Sequence, residues 1–154
     1  DGRRSESYAK MHLFALGNET RHYRPGTERV VWNLGPWRIL PAICYDLRFS
    51  YLFWDVARDI DLVVVPANWP ASRREHWRTL LQARAIENQV PVAGCNRIGR
   101  DPLARYAGDS LVVGAQGHIL SDALDGSGIV TATVERAETI AVRGKFPFLE
   151  DRLD

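Results

Sequence analysis

Cys44 is the residue of this sequence best placed to do covalent chemistry. It follows the apolar residues 40–43, and the largely polar residues 45–48 come directly after it. The pattern predicts a strand that ends at the thiol and then turns sharply. A thiol in that position is held rigidly and can still reach a substrate, so we predict a nucleophile; a buried structural thiol is the alternative.

Lys10 is the second candidate for chemistry. The chain contains two lysines, Lys10 and Lys145, and eighteen arginines, so a lysine is an unusual choice of cation here. An ammonium group is a compact charge that can lower a thiol pKa and can donate to a developing oxyanion. Taken alone, Lys10 reads as a solvated strand residue; beside a nucleophilic Cys44 it gains a chemical role.

The composition is typical of one globular domain covering residues 1–154. Of the 154 residues 45% are hydrophobic, and the formal net charge is +1. This charge does not indicate steering towards nucleic acid, and no apolar run is long enough for a membrane span. Because two cysteines do not make a disulfide framework, we expect free thiols in a cytoplasmic setting. Cys95 is predicted to pack as a small hydrophobe; a Cys44–Cys95 disulfide, which would quench the nucleophile, is the minor alternative.

Strand-like and helix-like segments alternate along the chain, which predicts an α/β class. A capping box at Ser72 and Glu75 predicts the clearest helix, which continues to Gln89 before Pro91. The continuous apolar run 62–65 is typical of a strand buried on both faces. Further strands are predicted at 29–34, 37–43, 92–96, 109–114, 118–120 and 129–134, and further helices at 51–58 and 135–142.

Several motifs in fixed order resemble the nitrilase (carbon–nitrogen hydrolase) superfamily. Lys10 lies in Tyr-x-Lys-x-His-Leu-Phe, and Cys44 lies in Ile-Cys-Tyr-Asp-x-Arg-Phe. The loop at 66–70, the helix from His76 to Asn88 and the Gly-Asp-Ser at 108–110 continue the likeness over essentially the whole chain. Tyr-Asp-x-Arg-Phe is most similar to the omega-amidase branch, whose members cleave side-chain amides of 2-oxo acids.

The resemblance implies a fold and a set of catalytic residues. Members of this family have an αββα sandwich and a Glu–Lys–Cys triad, in which the glutamate is the general base, the lysine supports the tetrahedral intermediate and the cysteine attacks. Lys10 and Cys44 match the last two. Many members have a second glutamate shortly before a Pro-Gly, which Glu19 matches; we expect it to orient Lys10 or the substrate amide.

The first glutamate of the family normally lies far upstream of the lysine, and Glu6 is too close to Lys10 to be its equivalent. Asp1-Gly2 is also a hairpin-turn signature with no strand before it. We therefore expect this chain to be an incomplete portion of the sandwich, with the missing part cleaved off or carried on another chain. An uncovered sheet should then favour association with a partner or a second copy, through the 72–89 helix and the C-terminal tail.

The resemblance further implies hydrolysis of a small amide through a cysteine acyl-enzyme, without a metal or cofactor. The backbone N–H of Tyr45 and Lys10 would face the oxyanion. Trp69, Asn68 and Arg48 are candidates for substrate binding. For Arg48 we expect pairing with Asp46 in the turn rather than contact with a substrate carboxylate, and Trp69 is equally placed to line the pocket or to hold its own loop.

Three other functions stay open. Within the family, the chain could be a carbamoylase or another amidase. It could also be a non-catalytic remnant, or a subunit that an N-terminal partner completes. A papain-like Cys–His protease would need one of the four histidines beside Cys44.

Overall fold

The computed structural model describes residues 6–153. It contains a six-stranded mixed sheet of order β1-β2-β3-β4-β7-β8 and a separate antiparallel pair, β5-β6. The strands are β1 (Trp32–Leu34), β2 (Trp37–Pro41), β3 (Leu62–Ala67), β4 (Val92–Asn96), β5 (Ile98–Arg100), β6 (Arg105–Ala107), β7 (Leu111–Val113) and β8 (Ile119–Asp122). The helices are α1 (Tyr51–Trp54), α2 (Arg74–Asn88) and α3 (Arg136–Lys145). None of the helices within residues 6–153 is long and apolar enough to cross a membrane.

Strands β2, β3 and β4 are parallel neighbours in the centre of the sheet. Parallel strands need crossover connections, and the segments containing α1 and α2 supply them. All three strands therefore end at the same edge of the sheet. That edge receives the turn at Cys44, the loop at Asn68 and the end of β4 at Asn96.

The core lies between this sheet and α2. Leu40, Val63 and Val92 contribute sheet side chains with at most 1% exposure, and Trp77 and Leu81 of α2 are fully buried among them. The close approach of α2 to the sheet depends on Gly94 of β4, because a Cβ there would lie 2.5 Å from Leu81 Cδ1 and 2.8 Å from Trp77 Cζ2.

The other face of the sheet is less covered by the described residues. Val64, Ala93 and Val112 are half-buried there, and Cys95 is exposed. The prediction that Cys95 packs inside is therefore wrong, although its strand is confirmed. The α/β class is confirmed, and residues 6–153 supply one helix-covered sheet of the predicted sandwich.

The start of α2 differs from the capping-box prediction. The helix begins at Arg74 with Arg73 as N-cap, and no side chain caps it. Ser72 lies instead in a 3₁₀ turn, Ala71–Arg73. The indole Nε1 of Trp69 donates to the Arg73 carbonyl at 2.8 Å, so a local side-chain contact, and not a Ser72 cap, holds this turn to the preceding loop.

Other element boundaries also differ. The segment 129–134 is not a strand and has no ladder partner among the described residues. The predicted helix 51–58 is divided into α1 and a 3₁₀ turn at Ala57–Asp59, and β1 is shorter than the predicted strand 29–34. Residues 6–10 form no strand, and the predicted hairpin turn at Asp1-Gly2 lies outside the described residues.

Candidate active site

A cavity of about 1070 Å³ opens at the carboxyl ends of β2, β3 and β4. Its size exceeds what one small molecule needs, and apolar and charged side chains share its wall. All seven residues predicted for the site line it, namely Lys10, Glu19, Cys44, Tyr45, Arg48, Asn68 and Trp69.

Cys44 lies in a strained turn directly after β2. It opens the 3₁₀ segment Cys44–Arg48 and has a positive φ of 49°. Residues with a Cβ rarely adopt this left-handed conformation, and such strain persists where the surrounding structure imposes it, often at functional sites. The turn presents the half-buried thiol to the cavity.

Lys10 and Glu19 form an ion pair in the cavity wall. Lys10 Nζ lies 2.8 Å from Oε1 and 2.6 Å from Oε2 of Glu19. The backbone N–H of Phe14 donates to the same Oε2 at 2.9 Å. Glu19 therefore holds the ammonium in one place.

The loop that carries this pair is closed by Gly26. Its N–H donates to the Lys10 carbonyl at 2.8 Å. A Cβ on Gly26 would lie 2.3 Å from the Ala9 carbonyl oxygen, so only glycine permits this approach. This close contact closes the loop that brings Glu19 back onto Lys10.

Burial raises the pKa of the Cys44 thiol above its ordinary value. Lys10 and the backbone amides of Asn68 and Tyr45 act in the opposite direction, and the carboxylate of Glu19 adds to the rise. A thiol held mainly in its protonated form needs a base before it can attack. Glu19, already paired with Lys10, is the only carboxylate that lines the cavity within residues 6–153.

Asp46, which sequence reasoning did not place in the site, connects the two catalytic segments. The fully buried carboxylate accepts hydrogen bonds from the backbone N–H groups of His12 at 2.8 Å and Ile43 at 2.9 Å, and from the Tyr8 hydroxyl at 2.8 Å. Because Tyr8 and His12 flank Lys10, these bonds fix Lys10 relative to the nucleophile turn. No local sequence signal marks the link to the Lys10 segment, since Tyr8 and His12 lie more than thirty positions upstream of Asp46.

The predicted pairing of Arg48 with Asp46 is wrong, because the Asp46 oxygens are occupied by those donors. Arg48 Nη2 instead lies 3.1 Å from His76 Nδ1. Its guanidinium carbon is 4.8 Å from the centre of the Trp69 ring and 5.9 Å from that of Tyr45. Arg48 therefore faces the cavity.

Trp69 fulfils both of its predicted alternatives, lining the cavity and holding its own loop. The side chain is 3% exposed, and its backbone N–H donates to Asn96 Oδ1 at 2.7 Å. Asn96 also donates to the Gly108 carbonyl at 2.6 Å. The Asn68 loop is thereby tied to the end of β4.

Both cysteines are free thiols, so the Cys44–Cys95 disulfide is not formed. None of the four histidines lines the cavity, so the papain-like alternative has no general base here. Within residues 6–153 no group of three or more His, Cys, Asp or Glu side chains is arranged to hold a metal ion.

Comparison with known proteins shows the family of this chain. The family model described as carbon-nitrogen hydrolase matches residues 1–144. Omega-amidase YafV of Yersinia enterocolitica is 46% identical over 147 residues, which cover 94% of this chain and 57% of that protein. The 2-oxoglutaramate amidase of Bacillus subtilis (strain 168) is 35% identical over 152 residues, covering 98% of this chain and 59% of that protein.

Solved structures show the same relationship. XC1258 from Xanthomonas campestris, a CN-hydrolase superfamily protein crystallised with an arsenic adduct in its active site, superposes with a TM-score of 0.88 at 42% identity and covers 94% of this chain and 58% of that one. Nit3 of Saccharomyces cerevisiae, a member of the nitrilase superfamily, superposes with a TM-score of 0.85 at 27% identity. The match covers 96% of this chain and 54% of that one. The chain thus spans less than two thirds of the proteins it matches. Fold, motifs and family model agree, and the chain belongs to the carbon-nitrogen hydrolase family.

Proposed function

We propose that the protein carrying this chain hydrolyses a small non-peptide amide, an omega-amide of a 2-oxo dicarboxylic acid, through a cysteine acyl-enzyme. The observation that carries the proposal is the shared cavity of the strained Cys44 and the Lys10–Glu19 pair. The relatives described as omega-amidase and 2-oxoglutaramate amidase support the choice of substrate.

In the proposed reaction the Cys44 sulfur attacks the amide carbon after a base has taken the thiol proton. The electrons of the carbonyl move to oxygen, where Lys10 and the backbone N–H of Tyr45 stabilise the oxyanion. The C–N bond breaks, ammonia leaves with a proton from the general acid, and a thioester remains. Water then attacks the thioester, releasing the carboxylic acid and restoring the thiol.

Glu19 orients Lys10 in this proposal and is not the base. Both of its oxygens are within 2.8 Å of the ammonium, and one also accepts the Phe14 N–H. The base would come from outside the described residues, from an N-terminal segment on this or another chain. A non-catalytic subunit and a carbamoylase remain the competing functions.

We also propose that the chain associates with a second copy or with a chain that supplies the N-terminal segment, in the cytoplasm. Apolar side chains on α2, α3 and the C-terminal segment support an interface. Ile86, Ile140 and Phe148 are each more than half exposed. Sedimentation velocity tests this: association is expected, and a monodisperse monomer would contradict it.

The central test is ammonia release from 2-oxoglutaramate, measured for the purified chain alone and with the upstream segment of a relative supplied in trans. Cys44→Ala should abolish release, and Cys95→Ala, the matched thiol control, should retain it. Release by Cys44→Ala would contradict the acyl-enzyme. Absence of release in both preparations would contradict the chosen amide, and N-carbamoyl substrates would then test the carbamoylase alternative.

A further inference from the structure

The cavity wall carries more positive than negative charge. Glu19 is its only carboxylate among the described residues, and its positive side chains are Lys10, Arg24, Arg48, Arg73 and Arg97. Two of these charges are already balanced, because Lys10 binds Glu19 and Arg97 Nη1 lies 2.9 Å from Asp101 Oδ2. Arg24 is exposed, which leaves Arg48 and Arg73 as half-buried cations without a carboxylate within 4.0 Å in residues 6–153.

Arg73 is the less engaged of these two arginines. Its guanidinium carbon lies 5.5 Å from the centre of the Phe14 ring, and its side chain donates no hydrogen bond to any described residue. Arg48, by contrast, already contacts the His76 ring. Arg73 therefore has donors available for a ligand.

The backbone of Arg73 is held firmly although its side chain is free. Its N–H donates to the Pro70 carbonyl at 3.0 Å, and its carbonyl accepts the Trp69 Nε1 bond at 2.8 Å. These contacts place Arg73 at the N-terminal end of α2, facing the cavity. Because the backbone is fixed, only the side-chain torsions of Arg73 remain to be ordered when it binds an anion.

The two guanidinium groups flank an aromatic pair beside the nucleophile. The rings of Phe14 and Tyr45 are 5.0 Å apart; Arg73 stacks on the first and Arg48 lies 5.9 Å from the second. Tyr45 follows Cys44 directly, and Phe14 binds Glu19 through its N–H. The cations thus border a partly apolar surface that begins at the reacting atoms.

We propose that Arg73, with Arg48 beside it, binds the carboxylate at the 2-oxo acid end of the substrate and so determines specificity for acidic amides. The inference rests on the proposed function. A guanidinium fork matches a carboxylate with two parallel hydrogen bonds, and a half-buried cation without a counter-ion strengthens them. The Phe14 and Tyr45 rings would contact the methylene groups between the carboxylate and the amide.

The test compares an acidic and a neutral amide in the active preparation. Arg73→Gln should lower kcat/KM for 2-oxoglutaramate about 10- to 100-fold, chiefly through KM, and change kcat/KM for butyramide less than about threefold. Arg73→Lys should recover part of the loss. Arg97→Gln removes the same charge from the same cavity but leaves Arg73 in place, and should keep the ratio of the two substrates.

Binding of 2-oxoglutarate separates this inference from the proposed function. Calorimetry on Cys44→Ala protein should detect binding that Arg73→Gln weakens about 10- to 100-fold, even if no amide is hydrolysed. Failure of hydrolysis together with Arg73-dependent binding would reject the function and keep the carboxylate site. The inference would be overturned if Arg73→Gln lowered kcat/KM equally for both amides. It would also be overturned if 2-oxoglutarate did not bind, or bound equally well with and without Arg73.

Discussion

The backbone N–H of His12 donates to Asp46 Oδ1 at 2.8 Å, and this bond joins the segment that carries Lys10 to the turn that carries Cys44. The same carboxylate receives the Tyr8 hydroxyl from the other side of Lys10. The relative position of ammonium and thiol thus depends on one buried acid that touches neither.

Replacement of Asp46 should destabilise the protein strongly. Asp46→Ala leaves two backbone N–H groups, the Tyr8 hydroxyl and the His12 Nδ1 atom without their partner, which we expect to cost about 3–5 kcal/mol of unfolding free energy. Asp46→Asn keeps one acceptor oxygen and should cost about 1–3 kcal/mol. Urea unfolding measures both. The control Asp59→Asn breaks only an exposed pair with Arg38 and should cost less than about 1 kcal/mol; a similar effect for all three variants would refute the anchoring role.

Loss of the Glu19 charge should reduce catalysis more than substrate binding. Glu19→Gln weakens the two charge-assisted contacts to Lys10, so we expect kcat to fall about tenfold or more. Steady-state kinetics on 2-oxoglutaramate measures this. Glu28→Gln, at an exposed carboxylate on the same loop, should leave kcat unchanged. An unaltered kcat in Glu19→Gln would contradict the positioning of Lys10.

The Cys44 thiol should be alkylated at higher pH than an ordinary cysteine, because burial raises its pKa and the thiolate is the reactive form. Lys10→Met removes a group that lowers this pKa and should shift the alkylation profile to still higher pH. Iodoacetamide labelling in a Cys95→Ser background measures both profiles. Coincident profiles would show that Lys10 does not act on the thiol.

The raised pKa of the Cys44 thiol also makes the free energy of unfolding depend on pH. Between the pKa of an unfolded cysteine and the raised folded pKa, the unfolded chain binds fewer protons than the folded one, so the free energy of unfolding falls as pH rises through that window. Cys44→Ala should flatten this part of the curve. An alkaline slope that is identical in Cys44→Ala would assign it to other groups, such as Tyr8, whose pKa burial and Asp46 also raise.

Two glycine-to-alanine changes should have opposite effects on stability. Gly94→Ala forces a methyl group against Leu81 and Trp77 and should cost about 1–3 kcal/mol. Gly144→Ala, in α3 with open space around it, should gain up to about 1 kcal/mol of helix propensity. Thermal unfolding of both variants tests the packing of α2 on β4; a neutral Gly94→Ala would contradict it.

Local patterns were sufficient to predict the α/β class and most strands of the sheet, and the resemblance to the nitrilase superfamily implied a set of seven site residues that all line the cavity. The apolar segments at 62–65 and 92–96 identify central strands, but the predicted burial of 62–65 on both faces is wrong for the described residues, because alternate side chains of both strands are only half-buried or exposed. The motifs around Lys10 and Cys44 carry the resemblance to the family, and the expected chemistry follows from that resemblance. The parallel pairing of β2, β3 and β4, which brings their carboxyl ends to one edge, is known only from the structure.

Which polar groups contact one another depends on the tertiary structure and could not be predicted from the sequence. The anchoring by Asp46, the cavity-facing position of Arg48 and the exposure of Cys95 all depend on contacts between segments far apart in the chain. The absence of a strand at 129–134 likewise became known only from the structure, in which this segment has no partner strand among the described residues. Periodicity reports which side chains are buried together, whereas a hydrogen bond depends on distances that only the folded chain sets.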